Sequence, residues 1–206
     1  MIQPAFVNTE ITEIILFKED FQMKKQEKNG KICYNNEKLN VTGVQKMIIL
    51  AMAIYCEAKP LIEKYRLKKD ESYMPFTVFA NEEKEILLII TGTGNAAAAS
   101  SVAGVCAKLD LKADKNFLVN IGTCASALAS DEIYICSKIT DESSERTFYP
   151  DMIYKNPFKE AEIITSAVLF ENKNDKNPQN TSDTVLYDME AAFVWQAGAY
   201  FFAPHE

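Results

Sequence analysis

The fold of this chain is decided by the stretch Ile86-Leu-Leu-Ile-Ile-Thr-Gly-Thr-Gly-Asn-Ala-Ala-Ala-Ala-Ser-Ser-Val-Ala-Gly-Val-Cys-Ala-Lys-Leu109. Its apolar run, residues 86–90, is too short to cross a membrane and predicts a strand that is buried on both faces. Residues 91–94 break the run, and the alanine-rich residues 96–109 predict a helix. A strand, a glycine turn and a helix in this order are typical of an α/β sheet with a ligand site beyond the carboxyl end of the strand. Glycines there let backbone amides approach a ligand.

The same glycine turn has two other interpretations. One is a tight turn whose small residues let the helix pack on the sheet, with no ligand. The other is a dinucleotide-binding fingerprint, because Gly92, Gly94 and Ala97 fit the spacing Gly-x-Gly-x-x-Ala. That fingerprint requires an acidic residue at the end of the next strand, whereas the strand predicted over residues 116–121 ends in Gly122-Thr123-Cys124. A nicotinamide-dependent enzyme is therefore the weaker alternative.

The composition indicates a soluble protein with one α/β domain. A chain of 206 residues can bury a sizeable core, and 48% hydrophobic with 25% charged residues is ordinary for a globular protein. The net charge of −7 and the lack of a basic block argue against a nucleic-acid partner. No secretory signal or membrane-spanning run is visible, so no membrane partner is expected. An odd number of cysteines without a Cys-x-x-Cys pair favours a reducing, cytoplasmic setting.

Histidine chemistry is disfavoured, because the single histidine is His205, next to the end of the sequence. Ser-His-Asp and Cys-His catalysis would depend on this one residue. The shortage of histidine and of clustered cysteines also argues against a zinc site. We therefore expect no metal and no cofactor.

The order of patterns along the chain predicts a single three-layer α/β domain with a mostly parallel mixed central sheet. Residues 1–46 are polar and turn-rich and are predicted to be an accessory or disordered extension, with the domain spanning residues 47–206. Pro60 is expected in the first turn of its helix, so this helix should begin near Glu57, and Asp188 should cap the last helix. Strands are predicted over residues 47–55, 76–79, 85–91, 116–121, 132–139, within 161–170 and over 184–187; helices over 56–67, 96–109 and 189–202; and long loops over 140–157 and 171–183.

Four short segments carry a resemblance to a known family. They are Tyr55-Cys-Glu57, Thr91-Gly-Thr-Gly94, Asn120-Ile-Gly-Thr-Cys124 and Asp188-Met-Glu-Ala-Ala192, each at the end of a predicted strand. Over residues 47–206 the sequence resembles the purine nucleoside phosphorylase and nucleosidase superfamily, and most of all the methylthioadenosine/S-adenosylhomocysteine nucleosidases. The resemblance implies a nucleoside phosphorylase-like fold, cleavage of the N-glycosidic bond of a purine nucleoside, and a cytoplasmic homo-oligomer such as a homodimer.

The resemblance implies two catalytic carboxylates. Glu57 would hold and polarise the attacking water, and Glu190, with Met189 beside it, would hold the ribose. A carboxylate accepts hydrogen bonds from two hydroxyls, and a thioether packs on the sugar face. The alternative for both glutamates is a solvated carboxylate at the start of a helix, which the helix dipole favours.

The remaining substrate-binding residues also follow from the resemblance. Thr91 and Gly92 would contact the sugar or the nucleophile, Thr123 lies at a position of the nucleophile site, and Phe170 would stack on the purine unless it is only a core residue. Phosphorylases of the family carry arginine where this sequence has Asn120. Without that arginine a phosphate loses its main anchor, so hydrolysis by water is favoured over phosphorolysis, which stays the alternative.

One departure from the family pattern concerns the general acid. The family carries an aspartate on a strand after the Met-Glu helix, and this sequence has no aspartate after Asp188. We therefore expect a domain that is incomplete at its C-terminal end, or a nucleoside-binding protein that has lost the acid. Loss of general acid catalysis costs about 10²–10⁴ in rate, so the 206-residue chain is expected to be a poor catalyst.

Overall fold

A computed structural model of the protein describes residues 25–28, 31–34, 47–83, 85–109, 111, 116–126, 132–150, 152, 157–168 and 185–202. The strands in these residues are β1 (Lys25–Lys28), β2 (Lys31–Tyr34), β3 (Ile48–Met52), β4 (Lys68–Lys69), β5 (Thr77–Ala80), β6 (Ile86–Ile90), β7 (Phe117–Asn120), β8 (Ala125–Ser126), β9 (Tyr134–Asp141), β10 (Arg146–Phe148), β11 (Lys159–Thr165) and β12 (Val185–Asp188). The α-helices are α1 (Tyr55–Lys64), α2 (Asn95–Cys106) and α3 (Ala191–Gly198), and a 3-10 turn spans Glu71–Tyr73. None of the helices in the described ranges is long and apolar enough to cross a membrane.

The first large sheet has the strand order β4-β5-β6-β3-β7, and β6, β3 and β7 are parallel. Successive residues of a strand point to opposite faces, so the apolar run of β6 supplies two cores. Ile89 packs with Val102 of α2 on one face, whereas Leu88 packs with Leu61 of α1 on the other. The sheet therefore lies between two helices, and the three-layer arrangement predicted from the sequence is confirmed.

The second large sheet has the order β10-β9-β11-β12-β8, with β9, β11 and β12 parallel. Its apolar face packs against the start of α3, where Ile163 and Leu186 meet Ala192. The same helix turns Val194 and Ala197 toward the core of the first sheet. The predicted α/β fold is thus confirmed, and its strands are divided between two mixed sheets that α3 joins.

Several predicted boundaries were wrong. The predicted loop over residues 140–157 contains a hairpin of β9 and β10, whose turn is fixed by Asp141: its Oδ1 accepts from the backbone N–H and the hydroxyl of Ser143, at 3.0 and 2.7 Å. Helix α1 begins at Tyr55, which places Pro60 in its interior. Helix α3 begins at Ala191 and ends at Gly198, well inside the predicted range. The loop predicted over residues 171–183 lies outside the described residues, and the extension over residues 1–46 stays a prediction.

Candidate functional site

The candidate site lies at the carboxyl ends of β3, β6 and β7. The register aligns Met52 of β3 with Ile90 of β6, and Ala51 of β3 with Asn120 of β7. The loops that leave these strands stay together, because Gly92 N–H donates to the carbonyl of Ala53 at 3.0 Å. The parallel arrangement therefore brings three of the four segments that carry the sequence resemblance to one edge of the sheet, where α/β proteins bind ligands, and the fourth follows β12 of the other sheet.

Glu57 stands in the first turn of α1 and is only 7% exposed. Its Oε1 accepts hydrogen bonds from the backbone N–H of Thr123 at 2.9 Å and from the Thr123 hydroxyl at 2.5 Å. Its Oε2 is shielded from solvent and has no hydrogen-bond partner among the described residues. Glu57 is therefore not the solvated helix-start carboxylate of the alternative interpretation; it is a buried carboxylate with one oxygen available.

Glu190 lies between β12 and α3 and reaches across to the glycine turn of the other sheet. Its Oε1 accepts from the backbone N–H of Gly94 at 2.6 Å, although the two residues are 96 positions apart in the sequence. The N-cap of α3 is Glu190 and not, as predicted, Asp188. Asp188 nevertheless directs its Oδ2 to the start of the helix, where it accepts from the backbone N–H groups of Glu190 and Ala191 at 3.2 and 2.6 Å. The backbone amide of Gly94 in the glycine turn is thus hydrogen-bonded to a carboxylate of the protein itself.

The two glutamates lie near enough to influence each other. Burial raises the pKa of the Glu190 carboxyl above its ordinary value, and the negative charges of Asp188 and Glu57 raise it further. The hydrogen bond from Gly94 N–H acts in the opposite direction, because it stabilises the charged form. The site therefore concentrates acidic groups at one sheet edge, and α1 and the β12–α3 junction each contribute one glutamate.

The glycine turn between β6 and α2 is built by its own residues. Thr91 is buried, and its hydroxyl oxygen lies 3.3 Å from the carbonyl of Met52 and 2.9 Å from that of Gly92. Gly92 has φ +81°, and a Cβ on it would stand 3.2 Å from the Cβ of Ala97. The turn therefore requires glycine for its backbone conformation, and contacts of Thr91 and Gly92 with a sugar stay a prediction.

The structure describes two of the three remaining predicted site residues. Thr123 directs its hydroxyl to Glu57, so the structure gives it a contact with the first glutamate that the sequence did not suggest. Met189 is half-buried next to Glu190. Phe170 lies outside the described residues. The roles of Thr123, Met189 and Phe170 in substrate binding stay predictions.

Neither arginine of the sequence stands beside the two glutamates. Arg66 follows the C-terminal end of α1, whereas Glu57 is in the first turn of that helix. Arg146 of β10 is aligned with Asp141 of β9, and Asp188 of β12 lies two strands beyond β9. Three strand spacings of about 4.8 Å therefore place the backbone of Arg146 roughly 14 Å from that of Asp188. Arg146 lines a separate cleft of about 180 Å³ together with Phe148, Trp195, Gln196, Ala199 and Tyr200.

The fold is similar to that of proteins of known structure, at low sequence identity. No protein-family model and no curated protein matches the chain. Similar solved structures include a 5'-methylthioadenosine/S-adenosylhomocysteine nucleosidase from Neisseria meningitidis in complex with methylthio-immucillin-A, the 5'-methylthioadenosine nucleosidase of Arabidopsis thaliana in apo form, and a futalosine hydrolase mutant of Helicobacter pylori.

The similarity extends over most of each protein at low identity. The Neisseria enzyme is 16% identical with a TM-score of 0.57, and the match covers 75% of this chain and 80% of that one. The Arabidopsis enzyme is 16% identical with a TM-score of 0.60, covering 75% and 76%. The Helicobacter protein is 14% identical with a TM-score of 0.55, covering 76% and 84%. The chain therefore has the nucleoside phosphorylase-like fold of the methylthioadenosine/S-adenosylhomocysteine nucleosidases that its sequence resembles.

Proposed function

We propose that the protein cleaves the N-glycosidic bond of a purine nucleoside and that water, not phosphate, is the nucleophile. The observation that carries the proposal is the pair of glutamates, Glu57 and Glu190, that meet at one sheet edge from distant parts of the chain. The similar structures include nucleosidases with a nucleoside analogue or adenine bound, and this supports a purine nucleoside as the ligand.

Glu57 would activate the water. One of its carboxylate oxygens is held by Thr123, and the other is buried without a partner among the described residues. A water bound to that second oxygen would give it a proton while the water oxygen attacks C1′ of the ribose. The C1′–N9 bond breaks, its electron pair leaves with the purine, and the purine takes a proton from solvent. Glu57 returns the proton that it received from the water to solvent, which restores the carboxylate.

Glu190 would hold the ribose. Two neighbouring hydroxyls can donate to one carboxylate, and this interaction strengthens when positive charge develops on the sugar. Gly94 N–H holds the carboxylate from one side and leaves it directed toward the glycine turn. Met189, next in sequence, would pack against the face of the sugar.

The arrangement of charges favours water over phosphate. The amide of Gly94, a group suited to an anion, already binds the Glu190 carboxylate. The negative charge of Glu57 also acts on the Glu190 carboxyl, and the two arginines of the sequence lie elsewhere in the fold. A phosphate dianion would meet like charges without a guanidinium to bind it.

The test is base release from methylthioadenosine, adenosine and inosine, followed by chromatography with and without phosphate. Glu57→Gln should lower kcat by about 10²–10⁴-fold, as expected for loss of a general base. Glu63→Gln is the matched control, because Glu63 is on the same helix, is exposed, and forms an ion pair with the exposed Lys59 at 3.8 Å. Hydrolysis predicts free sugar as the product and no dependence on phosphate. Rates that do not respond to Glu57→Gln, or a sugar 1-phosphate product, would contradict the proposal.

A protein that binds the nucleoside without cleaving it is the second candidate. It is favoured by one observation: the structures described above share the fold with this chain at only 14–16% identity, and a shared fold does not by itself carry an activity. Calorimetric binding of methylthioadenosine together with the absence of adenine release over hours would support this candidate and exclude turnover.

A further inference from the structure

The carboxylate of Asp188, which is half-buried, is the centre of a hydrogen-bond network behind the candidate site. Its Oδ1 accepts from the Thr165 hydroxyl at 2.7 Å, and its Oδ2 accepts from the backbone N–H groups of Glu190 and Ala191. Thr165 is 1% exposed, and its hydroxyl oxygen accepts in turn from Ala192 N–H at 3.0 Å. Three consecutive amides at the start of α3 are therefore fixed by two side chains from the ends of β11 and β12.

We propose that Asp188, supported by Thr165, is the positioning residue of the candidate site: it fixes the backbone of Glu190 and thereby directs the Glu190 carboxylate onto the glycine turn. The inference rests on the proposed function, in which Glu190 holds the ribose. Asp188 has no part in the chemistry, because both of its oxygens are used by the protein.

Capping the helix would not by itself require an aspartate that accepts from three donors. Serine, threonine or asparagine caps a helix about as well as aspartate, without the cost of removing a charge from water. The environment of Asp188 is unfavourable to a charge, since burial raises the pKa of its carboxyl. Its neighbours Cys124, Cys136 and Glu190 are not cations. A half-buried carboxylate that accepts from three donors fixes one geometry, and a site in which an ångström of displacement costs about 10²-fold needs that geometry.

Two measurements on the full chain test the inference. The first is the dissociation constant for methylthioadenosine and for adenine, which differ in the ribose that Glu190 would hold. Asp188→Ala should weaken methylthioadenosine binding by about ten-fold or more, the equivalent of one lost charge-assisted hydrogen bond, and should change adenine binding by less than about two-fold. Asp188→Asn keeps an acceptor for the amides and should restore most of the affinity.

The second measurement is the titration midpoint of the Glu190 carboxyl, followed by NMR of protein carrying ¹³C-labelled glutamate. Asp188→Asn should lower this midpoint, because the charge of Asp188 contributes to raising the pKa of Glu190. Asp141→Asn is the matched control: Asp141 is a buried carboxylate that accepts from hydroxyl donors, as Asp188 does, but it organises the β9–β10 turn and does not act on Glu190. That variant should lose stability and leave the midpoint unchanged.

The outcomes separate the inference from the proposed function. If the wild-type protein binds neither methylthioadenosine nor adenine, the proposed function is wrong, and the Glu190 titration still decides whether Asp188 acts on Glu190. If the wild-type protein binds both but Asp188→Ala weakens them equally, or if Asp188→Asn leaves the Glu190 midpoint in place, Asp188 is only a helix cap and the inference is overturned.

Discussion

The contact between Thr123 and Glu57 can be tested without any substrate. Thr123→Val keeps the shape of the side chain and removes the hydroxyl that donates to Glu57 Oε1, while the backbone N–H of residue 123 remains. A hydrogen bond to a charged group contributes about 1.5–3 kcal/mol. Because Glu57 is buried, water cannot replace the lost donor without rearrangement. We therefore expect Thr123→Val to lower the free energy of unfolding at neutral pH by about 1.5–3 kcal/mol.

For a chain of this length each kcal/mol corresponds to a change in Tm of about 2–4 °C, so Tm should fall by roughly 3–12 °C in a calorimetric scan. Thr123→Ser keeps the hydroxyl and should cost less. A double-mutant cycle with Glu57→Ala isolates the pair from other effects of either substitution. A coupling energy below about 0.5 kcal/mol, the usual error of additivity, would refute the view that Thr123 holds Glu57.

Three further predictions concern the acidic site and the glycine turn. Glu57→Gln should lower the titration midpoint of Glu190, since the charge of Glu57 contributes to its raised pKa; an unchanged midpoint in ¹³C NMR would place the two groups too far apart to interact. The raised pKa of Asp188 means that the folded protein keeps this proton at pH values where the unfolded chain releases it, so stability falls as pH rises from the ordinary value of 3.8 through the raised one. Asp188→Asn should remove the contribution of Asp188 to this decrease in stability. The measurement is the free energy of unfolding in urea at about pH 4 and about pH 7, and the decrease between the two pH values should be smaller in the variant than in the wild type. Gly92→Ala should destabilise by at least about 1–2 kcal/mol, because the backbone has positive φ and the new methyl group meets Ala97; an unchanged Tm would contradict the geometry of the turn.

Local patterns in the sequence predict four of the five strands of the first sheet, β3, β5, β6 and β7, but not the short β4. Because β6 is buried on both faces, its residues form an uninterrupted apolar run, and such a run predicts a strand. Because the backbone after β6 adopts positive φ, the turn contains glycines, and these predict the turn. The division of the strands between two sheets could not be predicted, since it depends on pairings such as β11 with β12 that join segments far apart in the chain.

The hairpin of β9 and β10 lies in a segment whose composition predicts a loop. Residues 140–157 are polar and contain two prolines, which is typical of a loop. The turn is nevertheless well formed, because Asp141 accepts from Ser143 and from the Ser144 hydroxyl at 2.6 Å and Glu145 adopts a left-handed conformation with φ 56°. Polar residues here serve the turn itself, a use of Asp and Ser that composition alone does not distinguish from solvation.

The candidate site depends on contacts that no local pattern contains. The position of Glu57 after a strand predicts a site residue. Its carboxylate is nevertheless held by Thr123, 66 positions later, and the carboxylate of Glu190 is held by Gly94, 96 positions earlier. Each glutamate is thus oriented by a backbone amide in the loop after a parallel strand, so the loops of β6 and β7 hold the side chains that α1 and the β12–α3 junction supply. A sequence pattern can identify the carboxylates and the glycine turns separately. Only the parallel register of β3, β6 and β7, which brings these loops to one edge, makes them a single site.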